Sequence, residues 1–454
     1  MFDRIVAAIK AFFAALFSGE TKRLHQLWAA ALPEGTRLEK DLSNLKEHAV
    51  ANLQRWLANP EVLRTLFAGL REHKPILVAR GIAVVTRHAD VTEVLTQDEP
   101  FTVRQIYAAK MERTSGAFFL GMDRGEQYTR EHTLLRQATQ PDVDLPRIAA
   151  FVSAQADQLI EAARPAGRIE VVNGLFRLVA TRLVTDYFGV PGPDEATAMR
   201  WHRAIFRDIF LNLNNDPQVT AQADEAAAQM NAYMDQLIAR RKAEIAAGQD
   251  GRDDFLTRVL RMQAGAQPAI DDAWVCRNVS GTILGAIETT SKAATQALDQ
   301  LLSRPDQLEA GQQAARDGDD RRLSACVFEA LRFNPHNPII LRHCDRPYTL
   351  AKGTRQETTI PEGTLVFAGT LSAMFDPEAF ARPDEFRGDR PAESYLHFGH
   401  GMHTCFGEYI NRVQLPVALK RLLRQKGLRR AAGDAGRMQF DGPFPNQLFV
   451  EFDA

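Results

Sequence analysis

Apolar residues recur along much of this chain at three- and four-residue spacing, the mark of helices that bury one face. On that pattern helices are predicted over 44–70, 91–97, 125–138, 147–163, 172–188, 195–212, 220–247, 271–303 and 322–333, with a further amphipathic helix over 408–425. Strand-like runs are few: 76–79 and 82–86 on either side of Gly81, then 358–360, 364–368 and a final 447–452. The fold class implied is mainly α with a small β-sheet region. Strands so far apart in sequence pair only if the chain folds as a unit, so one domain is expected. Proline- and glycine-rich stretches such as 189–193 are loop-sized rather than linker-sized.

The N-terminus has a different character. Large apolar residues at 2, 5, 6, 9, 12, 13, 16 and 17 lie on one broad helical face. The apolar run is broken by Lys10 and is shorter than the ~20 residues a bilayer-spanning helix needs. Asp3 and Lys10 also tell against a signal peptide. The expectation is a helix docked on the protein's own surface, with membrane-surface contact through residues 2–17 as the less favoured alternative. A cytoplasmic location follows, peripheral to a membrane only on that alternative.

Composition narrows the function. The chain has 454 residues, 55 basic against 57 acidic, for a net charge of −2. That balance argues against a nucleic-acid binder, which carries a strong basic excess. The four cysteines, Cys276, Cys326, Cys344 and Cys405, are widely spaced and form no CxxC. Neither a disulfide scaffold nor a zinc finger is compatible with that spacing.

The densest chemistry lies at Phe398-Gly-His-Gly-Met-His-Thr-Cys-Phe-Gly407. Its glycines permit backbone geometries closed to other residues. Cys405 falls at the N-terminal approach of the 408–425 helix, where the helix dipole and free N–H groups favour thiolate. A loop that presents its N–H groups to one sulfur suits an axial thiolate ligand on haem iron. Two other readings stay open from the residues alone. His397, His400 and His403 with Cys405 give an HxxHxxHxC array that a zinc or copper ion would accept, although it is not a common zinc spacing. Alternatively, Cys405 is an inert buried thiol.

This segment resembles the signature of the cytochrome P450 family, with Phe398, Gly401, His403, Cys405 and Gly407 in the expected places. Two further motifs support the resemblance. Glu329-Ala-Leu-Arg332, followed by Phe333-Asn-Pro335, matches the family's structural Glu-x-x-Arg pair. Gly285-Ala-Ile-Glu-Thr-Thr290 matches its oxygen-binding helix motif, with Ala286 in the usual glycine place. Gly281, Gly285 and the threonines are poor helix formers, so the long 271–303 helix is expected to kink or open locally. A kink with a back-bonded threonine explains the same residues without any chemistry.

The resemblance covers 45–454 and implies a single haem-containing P450 domain behind an N-terminal extension, 1–44. It implies haem b (iron protoporphyrin IX) ligated by Cys405, with Phe398, Gly399, His403 and Gly407 around the ligand. His132 and Arg136, on one helix face, with Arg342 and His403, would meet the propionates. Thr289 would hydrogen-bond iron-bound oxygen and Glu288 would help relay protons. The implied activity is monooxygenation: one atom of O2 enters an apolar organic substrate by hydroxylation or epoxidation. Electrons would come from a separate, ferredoxin-type donor, because the chain shows no flavin or iron–sulfur motif of its own. The basic residues Lys420, Arg421, Arg424, Lys426, Arg429 and Arg430 would steer that donor, or would simply solvate a helix end. Peroxide-dependent peroxygenation, hydroperoxide rearrangement and a non-catalytic haem sensor are the alternatives, and the retained Glu288–Thr289 pair argues against them.

Pocket-lining segments are expected at Phe101, Ile106, Tyr107, Met111, Phe118 and Phe119, and at Ile205, Phe206, Phe210, Leu211 and Leu213, with Asn212 and Asn214 as polar contacts or caps. Two departures from the family pattern stand out. Met374-Phe375 precedes Asp376-Pro377 where Asn-Arg is usual, and Glu385 stands where an arginine usually joins the Glu-x-x-Arg network, with Arg387 nearby.

Overall fold

The computed structural model describes residues 60–79, 81–213, 215–249, 251–265 and 270–453. The N-terminal extension, the start of the 44–70 helix and Asn214 lie outside the described residues. Two compact units are present. One holds the described residues through Thr102 with Arg332–Phe386 and Pro391–Met402; the other holds Val103–Leu331, Arg387–Arg390 and the chain from His403 onward. Each is assembled from segments distant in sequence, so neither is a separable stretch of chain.

The first unit is built on a five-stranded sheet ordered Ile76–Ala79, Ile82–Val85, Thr364–Ala368, Ile340–Cys344, Phe101–Thr102. Ile82–Val85 runs parallel to Thr364–Ala368, a pairing that spans most of the chain, while the other neighbours are antiparallel. Gly81 makes the turn between the first two strands at φ +79°, a left-handed conformation that suits glycine. Ala83, Val85, Val366 and Ala368 are fully buried and pack with Val91, Val94 and Leu95 of the His88–Thr96 helix. Phe101, expected in the ligand pocket, is instead core: it is buried in this cluster with its ring edge against Tyr348.

The second unit is helical. Asp194, Asp254 and Asp271 cap the Glu195–Phe206, Phe255–Ala264 and Asp272–Leu284 helices by accepting from Thr197, Thr257 and Trp274 backbone N–H groups at 2.8, 2.8 and 2.7 Å. The Glu408–Leu423 helix packs along the long Pro141–Ala163 helix. Among the described residues four helices lie outside the predicted spans: Arg104–Thr114, Phe255–Ala264, Pro305–Asp317 and the short Thr370–Ala373. The first buries only Met111 and Thr114 of its own residues, so it has almost no apolar stripe to read. The expected 447–452 strand is two strands, Phe444–Gln447 and Phe449–Glu451, which pair with different neighbours on either side of the wholly buried Leu448. The expected 271–303 helix is also two, Asp272–Leu284 and Glu288–Leu302, parted at Gly285 as the glycine and threonine content foretells.

The structural Glu-x-x-Arg pair is wholly buried, and its partners differ from the family pattern. Glu329 accepts from the Arg387 backbone N–H at 2.8 Å and from Arg390 Nε at 3.2 Å. Arg332 donates to the Met374 and Glu385 carbonyls at 3.1 and 3.0 Å and lies over the Phe333 and Phe375 rings. Glu385 therefore joins through its main chain, and Arg390 supplies the guanidinium that the 383–386 segment lacks. Replacing Arg390 removes a charged hydrogen bond from a buried carboxylate, which costs about 1.5–3 kcal/mol. The expected outcome for Arg390→Ala is a fall of that size in the urea unfolding free energy, while Arg387→Ala, whose side chain pairs with Asp389 at the surface, changes it little.

Candidate active site

Cys405 sits just after a short turn, Gly401–His403, and just before the Glu408–Leu423 helix. Gly399 and Gly401 both hold φ +75°, and a Cβ on Gly401 would lie 2.4 Å from the Leu95 carbonyl oxygen. Only glycine satisfies the turn and the close approach together, which explains the spacing of the motif. Burial pushes the Cys405 thiol up, and the Gly407 N–H at the sulfur and the nearby Arg136 guanidinium pull it down. Full thiolate character therefore calls for a further positive partner at the sulfur, as a metal ion would be.

The Glu126–Gln137 helix brings two sequence-predicted residues to this thiol. Arg136 places its guanidinium 4.1 Å from the Phe406 ring centroid and 5.9 Å from that of Tyr409. His132 stacks on Tyr128, with centroids 5.5 Å apart, and meets Phe406 edge-on at 5.8 Å. Tyr128 in turn meets the His403 ring at 5.6 Å. Burial, with Arg136 beside it, lowers the His132 pKa, leaving a neutral imidazole with an N–H to donate. Among the described residues no carboxylate pairs with Arg136, a half-buried cation held by aromatic faces and suited to an anionic group from outside the chain. Arg342, Phe398 and Gly399 belong to the first unit, where Arg342 lies buried in the sheet and donates to its own Leu341 carbonyl at 2.9 Å.

The broken helix carries the other predicted pair. Ile283, Leu284, Ile287 and Glu288 are at most 2% exposed, whereas Gly285 is exposed and Ala286 and Thr289 are half-buried. A single face of the break is thus open inside an otherwise sealed segment. Thr289 Oγ1 donates to the Gly285 carbonyl, satisfying one acceptor that the break releases. Glu288 is clamped by two arginines: Arg177 Nε donates to Oε1 at 2.7 Å and Arg203 Nε to Oε2 at 3.0 Å. Arg177 is further held by the Met199 carbonyl at 2.7 Å and by Asn173 Oδ1 at 3.1 Å. These two arginines are not legible in the sequence, because nothing local distinguishes them from surface cations.

Comparison with known proteins gives the family. The family model described as Cytochrome P450 matches residues 76–429. The chain belongs to the cytochrome P450 family. It is similar to the cytochrome P450 monooxygenase PikC of Streptomyces venezuelae, at 30% identity over 303 residues and 66% of each chain. It is also similar to the mycinamicin IV hydroxylase/epoxidase of Micromonospora griseorubida, at 27% identity over 75% of this chain and 81% of that one. Among solved structures it resembles CalO2, with a TM-score of 0.73 and 26% identity over 85% of this chain and 95% of that one. The protein is a P450 oxidoreductase of the bacterial type, and a haem-iron cofactor comes with the family.

The residues present fit that cofactor. Cys405 offers a sulfur with one N–H already donated to it, Arg136 a cation without an acid, His132 a donor, and the helix break an open face beside Thr289. Other expectations for this P450 are changed. Met111, Phe118 and Ile205 are core, at 0, 2 and 1% exposure, and Phe118 fills the space above Gly281, where a Cβ would meet its ring at 2.4 Å. The half-buried Tyr107, Phe210 and Phe206 instead form a chain that ends on the buried Phe444: Tyr107 to Phe210 at 5.5 Å, Phe210 to Phe206 at 4.6 Å, Phe206 to Phe444 at 5.9 Å. Phe444 was not anticipated, since it lies in a hairpin near the C-terminus. Asn212 is buried, donating to Asp208 Oδ1 at 2.7 Å and accepting from the Asp216 N–H at 2.7 Å, so it organises a turn. Of the basic run, Lys420, Arg421, Arg429 and Arg430 each pair with acids of this chain, Asp320, Asp157, Glu451 and Asp299 among them. The structural reading of that run therefore accounts for four of its six cations.

His202, 3% exposed beside Arg177, was missed altogether. Burial, with the Arg177 charge, holds its pKa down to about 4 against the usual 6.5. The unfolded chain protonates this imidazole first, so stability falls as pH drops from about 6.5 to about 4 and loses no more below. The drop is about 3 kcal/mol. Urea unfolding across that range should show a shallower acid-side slope in His202→Gln than in the parent; equal slopes would remove His202 as the cause.

Proposed function

We propose that this P450 is a haem-thiolate monooxygenase that inserts one atom of O2 into an apolar organic substrate, by hydroxylation or epoxidation, with electrons from a separate donor. The observation that carries the proposal is the intact acid–threonine pair at an open helix break, in the same unit as Cys405. When bound, haem b ligated by Cys405 supplies oxygen activation, the thiolate favouring O–O cleavage. Cys405 and Gly407 hold the ligand end. His132, Arg136, Arg342 and His403 are assigned to the propionates, and Phe398 and Gly399 to the ligand loop.

On the oxygen side Thr289 has a hydroxyl hydrogen now spent on the Gly285 carbonyl, and reorienting it offers a donor to the open face. Glu288 is hydrogen-bonded at both carboxylate oxygens by two arginines. It moves a proton only if one of those contacts opens, so Arg177 and Arg203 set how readily it can do so. Retention of this pair supports oxygen-dependent chemistry over peroxide use or a sensor role. The Tyr107–Phe210–Phe206–Phe444 chain supports a bulky apolar substrate, and relatives named as hydroxylases and hydroxylase/epoxidases agree with that. A ferredoxin-type donor is proposed because no reductase motif is present in the chain. Residues 45–454 are assigned to the P450 domain and 1–44 to an extension. Among the described residues no helix is long and apolar enough to cross a membrane.

The reduced protein should give the carbon-monoxide difference band of thiolate-ligated haem, and Cys405→Ala should abolish it. Thr289→Ala should divert electrons to peroxide and lower product per electron by about tenfold or more. Tight coupling in that variant would remove Thr289 from its role. Turnover with peroxide but none with NAD(P)H and ferredoxins would overturn the monooxygenase assignment.

A further inference from the structure

The half-buried Asn411 amide, the buried Gln414 amide and the buried Thr290 hydroxyl join the cysteine helix to the broken helix, and neither motif includes all three. Thr290 Oγ1 donates to Asn411 Oδ1 at 3.0 Å, and Gln414 Nε2 donates to the same oxygen at 2.9 Å. Gln414 Nε2 also reaches Thr290 Oγ1 at 3.3 Å. Asn411 Nδ2 then donates to the Gly407 carbonyl at 3.1 Å, beside the helical bond from the Asn411 backbone N–H to the same oxygen at 2.9 Å. Thr290 and Gln414 are 6 and 4% exposed.

The donor and acceptor inventory allows this network to run one way. Turning the Asn411 amide over would set its NH2 against the Gln414 NH2 and its oxygen against the Gly407 carbonyl, two donors together and two acceptors together. The amide is therefore locked with its NH2 on Gly407. Gly407 is the residue whose N–H points at the Cys405 sulfur, so two donors on its carbonyl hold the orientation of that residue. The far end of the network is Thr290, the neighbour of Thr289 on the first turn after the helix break.

We propose that Asn411, with Gln414 and Thr290 behind it, is a positioning residue for the thiolate, fixing the Gly407 hydrogen bond to sulfur and tying it to the helix that carries Glu288 and Thr289. The proposal rests on Cys405 as the iron ligand. Hydrogen bonds to a ligating sulfur withdraw charge from it and raise the reduction potential of the iron. Asn411→Asp is nearly isosteric and still accepts from Thr290 and Gln414, but it cannot donate to the Gly407 carbonyl. Thr290→Val removes the hydroxyl at the far end without touching the cysteine helix, and Thr290→Ser restores it.

The test uses the haem-loaded full chain, with the carbon-monoxide difference spectrum of the parent recorded first; absence of the thiolate band there refutes the ligand assignment itself. With that band present, redox titration and resonance Raman of the Fe–S stretch read the proposal. Asn411→Asp should lower the reduced-to-oxidised ratio at fixed potential by about tenfold and shift the stretch. Thr290→Val should move both in the same direction by less, and Thr290→Ser should match the parent. If Asn411→Asp does not retain haem, Thr290→Val and Thr290→Ser decide the question alone. Parent-like potential and stretch in every variant that retains haem, whatever their stability, would overturn the proposal and leave the network as interhelical packing.

Discussion

Five buried carboxylates in this protein are matched by arginines from far along the chain, and the placement of the helices that carry them depends on those pairs. Glu131 meets Arg277, Asp144 meets Arg258, Asp208 meets Arg113, Glu288 meets Arg177 and Arg203, and Glu329 meets Arg390. Each of these acids has a side chain at most 1% exposed. A carboxylate so placed costs several kcal/mol unless it is paired and hydrogen-bonded, so a helix that carries one is constrained to the position of its partner. The planar guanidinium donates to two oxygens at once, which fixes direction as well as distance.

The same constraint shapes the chemistry. Glu288 lies at the helix break and is also one of the clamped acids, so its hydrogen bonds are set by two residues on other helices. Cys405 faces a related conflict: burial opposes its charge, while Gly407 and Arg136 favour it. Glycine at 401 lets the loop approach the Leu95 carbonyl of the His88–Thr96 helix, and the Asn411 amide hydrogen-bonds the Gly407 carbonyl.

Sequence and structure diverge where interactions cross between distant segments. The Arg104–Thr114 helix has little periodicity of its own, but Lys110 donates to the Asp208 carbonyl at 2.9 Å and Arg113 pairs with the Asp208 carboxylate, which hold it in place. Phe101 and Met111 read as pocket residues by type and position and are core in fact, because an aromatic or a methionine is equally at home in either. Arg390 replaces a family arginine from a different position in the same loop, a substitution visible only once the chain returns to Glu329.

The order of residues by itself determined the mainly α class, the small sheet, the helix break at Gly285 and the family, because these rest on local spacing. Glycine positions, capping aspartates and a ten-residue cysteine loop act over one or two turns and leave their mark in consecutive residues. The partners of Glu288 and Glu329, the exclusion of Phe101 from the pocket, the arrival of Phe444 and the orientation of Asn411 were decided only by the tertiary structure. Each depends on burial, and burial depends on what other segments place against a residue: the cost of leaving a charge or an amide unpaired is felt only after water is gone.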